Sequence, residues 1–367
     1  MTTGDTMLSS PGQAAPAPDS AQEVHLARIE SREARSHRIS TSILIAIMAV
    51  LMLALVPRTS GTAQFSFLDS LSGKDLGTAK LPGLPTVLVS GILCALAAVA
   101  FAFKRSHGWI GTIAGVVAGV TVVVGLLTWA AAGASLPFQV SSQLEGTISL
   151  ATPLILGALC GVMCERSGVV NVAIEGQMLT AAFAAALVGS MTQSIAAALV
   201  AAVLAGVLMG ALLALFTIKY LVDEVVMGVV VNLFASGLTG FLFNQLLVTD
   251  AEKYNAAPIM EPIAIPGLSR IPFLGPILFN QTVLVYIGFL CIALVWFLLW
   301  RTRWGLRIRS VGEHPEAADT VGISVTAVRW SAVLVGGVFA GLGGAYFTIG
   351  TVGAFSKNIT VGNGFIA

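Results

Sequence analysis

Nine apolar runs dominate the chain, at residues 39–56, 86–103, 109–132, 148–164, 169–190, 195–218, 225–248, 283–300 and 330–350. A helix needs about 20 mostly apolar residues to cross the hydrocarbon core of a bilayer. Backbone in that core must satisfy its own N–H and C=O groups, so runs of this kind predict helices. Charged residues make up only 10% of the 367 positions, against about 25% in soluble domains. The expected fold class is therefore all-α, a polytopic membrane helical bundle of about nine spans. A large soluble core has no room, and the absence of a basic patch argues against nucleic acid.

Residues 1–38 carry Ala, Pro, Ser, Gln and charge without an apolar period. They read as a disordered or loosely helical cytoplasmic tail, ahead of a membrane domain over 39–367. The first apolar run starts too late for a signal peptide. Arg28, Arg32, Arg35 and Arg38 flank it, which places the N-terminus in the cytoplasm and allows contact with anionic membrane lipid. From that start, alternate loops should be basic, and they are: Lys104 and Arg105, Arg166, Lys219, then Arg301, Arg303, Arg307, Arg309 and Arg329. The segments 61–85 and 250–281 fall outside. The ending Gly364-Phe365-Ile366-Ala367 looks like the opening of a further apolar helix, so the chain is expected to stop short of a natural C-terminus.

Glycines recur within the runs, at 115 and 119, 206 and 210, and 336, 337, 341, 343 and 344. Such spacing lets helix backbones approach closely. Cys94, Cys160, Cys164 and Cys291 all fall in apolar runs and read as buried, reduced thiols. Cys160 and Cys164 lack a histidine or third cysteine, so no metal site is expected. The four histidines are scattered and read as solvated. No P-loop, H-E-x-x-H or G-x-S-x-G motif occurs. No catalytic residue and no cofactor is expected.

Two polar stretches interrupt this pattern. The first, 165–178, places two glutamates, Asn171, Gly176 and Gln177 between apolar runs with almost no true loop. Irregular backbone at membrane depth is tolerated where it is buried in protein or lines a cavity. A broken or re-entrant helix lining a path, with Asn171, Glu175, Gly176, Gln177 and Asn232 as its polar groups, is one reading. A tight turn with Glu165 and Arg166 paired at the surface is the other. Asp223 and Glu224 are expected to cap the helix that carries Asn232; Asn244 and Gln245 either face a path or bridge helices. Lys357-Asn358-Ile359-Thr360 before Gly362 echoes the Asn171…Gly176 pattern from the opposite membrane side, as an inverted repeat would.

The second stretch is 301–329. Pro315 suits the first turn of a helix, Glu316 suits the positive end of its dipole, and Gly322 suits a left-handed stop. A helix of about two turns over 313–322 is expected, with Ala317, Ala318 and Val321 as a small apolar knob. So short a helix needs a host surface. It is either an ordinary ordered loop or a docking helix for a cytoplasmic partner.

The wording of both stretches, Glu165-Arg166-Ser167-Gly168-Val169-Val170-Asn171 with Ile174-Glu175-Gly176, and Trp304-Gly305-Leu306-Arg307 with Gly312-Glu313-His314-Pro315-Glu316-Ala317-Ala318, resembles the permease subunits of bacterial ABC importers. The resemblance runs from about 148 to 367, within the ribose, branched-chain amino acid and nucleoside branch, and is nearest to the nucleoside permeases. It implies a multi-pass subunit of the bacterial inner membrane, not an enzyme, working with cytoplasmic ATP-binding subunits, a second permease subunit and an external substrate-binding lipoprotein. It further implies that 165–178 lines the path and that Glu313, His314, Pro315, Glu316, Ala317, Ala318, Val321 and Gly322 form the ATPase-coupling helix. The tail and the long first external loop exceed that family's compact start. An ion-gradient carrier using Glu175 or Glu165 is the alternative class, and ribose or a branched-chain amino acid the alternative solute.

Overall fold

The computed structural model describes residues 32–68, 75–102 and 109–367. The expectations for 1–31, for Lys104 and Arg105, and for His107 lie outside the described residues. Among the described residues nine helices are long and apolar enough to cross a membrane, in agreement with the nine runs.

The described residues form two compact units, one within 32–63 and 81–135 and the other within 64–80 and 136–367. The first holds α1 (Arg32–Leu55), α2 (Gly83–Ala102) and α3 (Trp109–Ala131). Its core is small-residue packing of Ile45, Ala49, Cys94, Ala97, Ala98 and Ala118. The Ser42 hydroxyl donates to the Ala98 carbonyl, 2.9 Å away, so this hydroxyl is satisfied within the protein and needs no water.

The second unit holds the remaining spans: α4 (Val140–Glu165), α5 (Ile174–Thr192), α6 (Ile195–Ala214), α7 (Glu224–Leu242), and, further on, α10 (Val283–Arg301) and α13 (Val325–Phe347). Single π-helical stretches, Leu215–Lys219, Phe243–Leu247 and Thr348–Val352, extend α6, α7 and α13. Between α7 and α10 lie α8 (Ala251–Tyr254) and α9 (Leu274–Phe279), and after α10 come α11 (Arg303–Glu313) and α12 (Pro315–Thr320); α14 (Asn363–Ile366) ends the chain. The sequence pattern did not reveal the strands β1 (Thr62–Leu68) and β2 (Asp75–Pro82), which with β3 (Phe138–Gln139) form a small sheet in the order β2-β1-β3. A two-residue pair, β4 (Ile263–Ala264) and β5 (Asn280–Gln281), clips the other long loop.

Helix α13 is central, and its glycines explain why. A Cβ on Gly206 of α6 would lie 2.5 Å from the Gly337 carbonyl, and one on Gly341 would lie 2.8 Å from that of Ala202. A Cβ on Gly344 would overlap the Met178 carbonyl of α5, and one on Gly336 would press on the Cys160 and Cys164 sulfurs of α4. Three neighbours thus touch α13 backbone to backbone, the close approach that small residues permit in membranes. Gly119 is different: nothing lies within 4 Å of the space its side chain would fill. All four cysteines are buried and free, and His37 and His314 are exposed.

Candidate functional site

The helix α4 ends in a turn, not a loop. Ser167 and Val169 donate their amides to the Cys164 carbonyl, and Gly168 takes a φ of +78°, which only glycine adopts without strain. The chain then runs without helix to Ile174. The break has a local cause: the Asn171 side-chain oxygen accepts the Ala173 amide at 3.0 Å, an Asx turn that competes with helical bonding.

Asn171 and Gln177 form one buried cluster with the two thiols of α4. The Asn171 amide nitrogen lies 3.3 Å from Cys160 Sγ and 3.5 Å from both Cys164 Sγ and Gln177 Oε1. Cys160 donates to the same Gln177 oxygen at 3.4 Å. Gln177 is fully buried and its Nε2 has no hydrogen-bond partner among the described residues. Gly176 is buried as well; its amide donates 2.7 Å to Asn232 Oδ1 while Asn232 Nδ2 donates 2.9 Å to the Val172 carbonyl. Asn232 therefore ties α7 to both sides of the break. Glu224 accepts the Val170 amide, and Asp223 caps α7 by accepting from Val225 and Val226 at 3.0 and 2.9 Å. The capping expected of Asp223 is thus present, while Glu224 reaches across to the break.

Glu175 does not stand free. Its carboxylate accepts the Thr360 hydroxyl at 2.5 Å, the Gly362 amide at 3.0 Å and the Gly364 amide at 2.7 Å. The two polar stretches that sequence reading placed on opposite membrane sides meet at this carboxylate. Asn232 and Ser236 are the ninth and thirteenth residues of the 24-residue span 224–247, so contacts at these residues lie about 12 and 18 Å into it at a rise of about 1.5 Å per residue. Asn244 and Gln245 are exposed.

The 301–329 stretch holds more helix than its composition suggested. Thr302 caps α11 by accepting the Gly305 amide at 3.0 Å. Gly305, Ile308 and Val311 form the buried face of α11, a spacing of three that was visible in the sequence and outweighed by its arginines. Glu313 and His314 accordingly belong to the end of α11 and the joint after it, while Pro315 opens α12 and Gly322, at φ +83°, follows it as expected. One expectation is overturned: Ala318 is only 3% exposed and packs into the core with Ile308, Val311 and Val328. The outward face is Glu316, Ala317, Asp319, Thr320 and Val321, and Val321 is 74% exposed.

The end of α11 and the start of α13, on either side of this outward helix, are seated on the break. A Cβ on Gly312 would overlap the Arg166 carbonyl, and Arg329 Nε donates to the Ser167 carbonyl at 3.3 Å. The 165–168 turn thus packs directly against α11 and α13, the two helices that flank α12.

Nine candidate spans among the described residues, with two irregular segments meeting at Glu175 and a short helix held outward, fit a membrane transport protein of the permease class. Residues 143–367 match the family described as branched-chain amino acid transport system / permease component, and the chain belongs to that family. It is similar to the guanosine ABC transporter permease protein NupQ of Bacillus subtilis, with 42% identity over 60% of this chain and 71% of that protein. It is also similar to the nucleoside ABC transporter permease protein NupC of Lactococcus lactis, with 41% identity over 59% of this chain and 70% of that protein. A third relative is the putative glucose ABC transporter permease protein TsgC13 of Haloferax volcanii, at 34% identity over 61% of this chain and 68% of that protein. No solved structure matches the chain. The chain is the transmembrane subunit of an ABC importer, a multi-pass membrane protein that leaves ATP hydrolysis to separate subunits. Importers of this family work with ATP-binding subunits and a substrate-binding protein.

Proposed function

We propose that the chain forms one wall of the import path for nucleosides. The observation that carries this reading is the 42% and 41% identity to permeases named for guanosine and for nucleosides. The site is consistent with it. A nucleoside is neutral and polar, and the 353–362 segment exposes the polar side chains of Ser356 and Asn358. Glucose, named for a relative at lower identity, is the second reading. The family speaks against the ion-gradient alternative, and so does Glu175, whose oxygens are already engaged by three donors.

In this reading the break at 165–178, with Asn171, Glu175, Gly176, Gln177 and Asn232, stiffens the wall from within. The outward face of α12 with Val321 is where ATP-binding subunits push, and closure on ATP turns the bundle between two rigid arrangements. The N-terminus and α12 lie in the cytoplasm of a bacterial inner membrane, a substrate-binding lipoprotein docks from outside, and a second permease subunit completes the path. The test is solute-dependent ATPase activity of the reconstituted importer. Guanosine is expected to stimulate it, and stimulation by glucose, ribose or a branched-chain amino acid without guanosine overturns the nucleoside reading.

A further inference from the structure

The chain leaves the α13 extension at Gly353 and does not re-enter helix until Asn363. Both ends of this segment are pinned. At its start Asn255 brackets Phe355, donating to its carbonyl at 3.0 Å and accepting its amide at 2.7 Å. The Phe355 ring is buried edge-on against Phe183, 5.4 Å between centroids. At its end the Glu175 carboxylate holds Thr360, Gly362 and Gly364.

Between the pins the backbone is strained, and Ile359 packs inward against the Phe183 and Phe355 cluster. Asn358 and Val361 take φ values of +54° and +49°. For a β-branched valine that is a true outlier, and such strain persists only where the surroundings over-determine it. Lys357, Asn358 and Val361 are exposed. Asn358 Oδ1 accepts the Ser236 hydroxyl at 3.3 Å, which sets this loop near the midpoint of the span that carries Ser236. The Lys357 ammonium lies 5.7 Å from the centre of the Phe243 ring, and no carboxylate pairs with it among the described residues.

Non-helical backbone at that depth is not tolerated against lipid; it is found where protein buries it or where it lines a wet cavity. The ammonium itself reaches toward Phe243, the twentieth residue of the span that carries Ser236 and about 28 Å into it at a rise of about 1.5 Å per residue. Lys357 thus extends from the mid-span loop toward the end of the helix, and an ionisable group on such a loop without a carboxylate marks a functional site. We infer that Lys357 and Asn358 are solute-contacting residues of the import path, placed to donate hydrogen bonds to carbonyl, hydroxyl or ring-nitrogen acceptors of a neutral polar solute, beside the Phe243 ring. For the solute class this rests on the nucleoside reading above; the position of the contact does not.

The test uses the complete importer in proteoliposomes, with the same binding protein throughout. Guanosine and cytidine, supplied together, compete for uptake in wild type, Lys357→Gln and Asn358→Asp; the last keeps a side chain that tolerates a left-handed backbone. Loss of a hydrogen bond to a charged donor is expected to shift the guanosine-to-cytidine ratio at least about fivefold. In parallel, Lys357→Cys is labelled with a membrane-impermeant methanethiosulfonate. Transported solute is expected to slow labelling at least about fivefold. An unchanged uptake ratio together with labelling that no transported solute slows overturns the inference. If wild type moves glucose but neither nucleoside, the nucleoside reading fails, and protection of residue 357 by glucose still decides the contact.

Discussion

Gly312 packs its bare Cα against the carbonyl of Arg166, with no space for a Cβ between them. This contact joins the end of α11 to the turn after α4, and a push on α12 therefore reaches the 165–178 break without crossing a flexible loop. Gly312→Ala is expected to force the two apart, at the cost of about 1–3 kcal/mol typical of overpacking. Thermal unfolding of the purified subunit should show the loss. Gly322→Ala meets nothing within 4 Å and pays only for its positive φ, about 1 kcal/mol. Equal losses for the two variants would mean that the Gly312 contact is not rigid.

Glu175 is a clasp, and its substitutions should rank by the donors they abandon. Glu175→Leu strands the Thr360 hydroxyl and the Gly362 and Gly364 amides. A buried donor left unpaired costs about 1–3 kcal/mol, so a clear drop in thermal stability should accompany lost uptake. Thr360→Val removes one of the three donors and strands none, so it should cost less. Glu175→Gln keeps one acceptor oxygen and should fall between. Stability unaffected by Glu175→Leu would remove the clasp from the account.

Asn232 bridges the break in both directions, taking the Gly176 amide and giving to the Val172 carbonyl. Asn232→Leu keeps the branched shape, adds some bulk and strands both backbone groups; Asn232→Asp preserves the acceptor alone. Uptake is expected to fall in both, with the leucine variant also losing about 2 kcal/mol of stability. Normal uptake in Asn232→Leu would show that the bridge is dispensable.

Much of this was legible in sequence, for identifiable reasons. Spanning helices announce themselves by length and apolarity, and the glycines of α6 and α13 announced close packing. The break after α4 was readable from Asn171, Glu175 and Gly168, since polar residues there have few other uses. Its internal bonding was not: that Glu175 finds Thr360, 185 positions later, is a tertiary fact with no local signal. Helix α11 was hidden because its three arginines, Arg303, Arg307 and Arg309, match in number the three residues of its buried face and mask their spacing. The burial of Ala318 depended on how α12 turns after His314, an angle set by packing on Ile308 and Val311.

Topology offers a direct check on the orientation proposed above. Positions 312 and 254 are separated by one long span, α10, so they should lie on opposite sides. Basic residues cluster around α11, which favours the cytoplasm for that end. Tyr254→Cys in intact cells should react with an impermeant maleimide, and a cysteine at exposed His314 should react only after permeabilisation. The reverse pattern would invert the scheme and move the proposed ATPase contact to the wrong side.

The coupling proposal divides α12 by face, and that division can be measured. Ala317 and Val321 face outward while Ala318 lies in the core, although all three are small or apolar and stand within five positions. If ATP-binding subunits seat on the outward face, Val321→Asp places a charge where an apolar contact forms. An unpaired charge there costs about 1–3 kcal/mol or more, enough to weaken association at least about fivefold. Because Val321 is exposed in the free subunit, the same change should leave its thermal stability within about 0.5 kcal/mol. Ala318→Asp should do the opposite first: it buries a carboxylate among Ile308, Val311 and Val328 and should destabilise the subunit itself. Cysteine cross-linking gives the second readout. Ala317→Cys should link to the ATP-binding subunit, and Ala318→Cys should not. Co-purification, uptake and cross-linking all unchanged in the outward variants would leave α12 as an ordinary ordered turn, and the contact with the ATP-binding subunits would have to be sought elsewhere on the same rim.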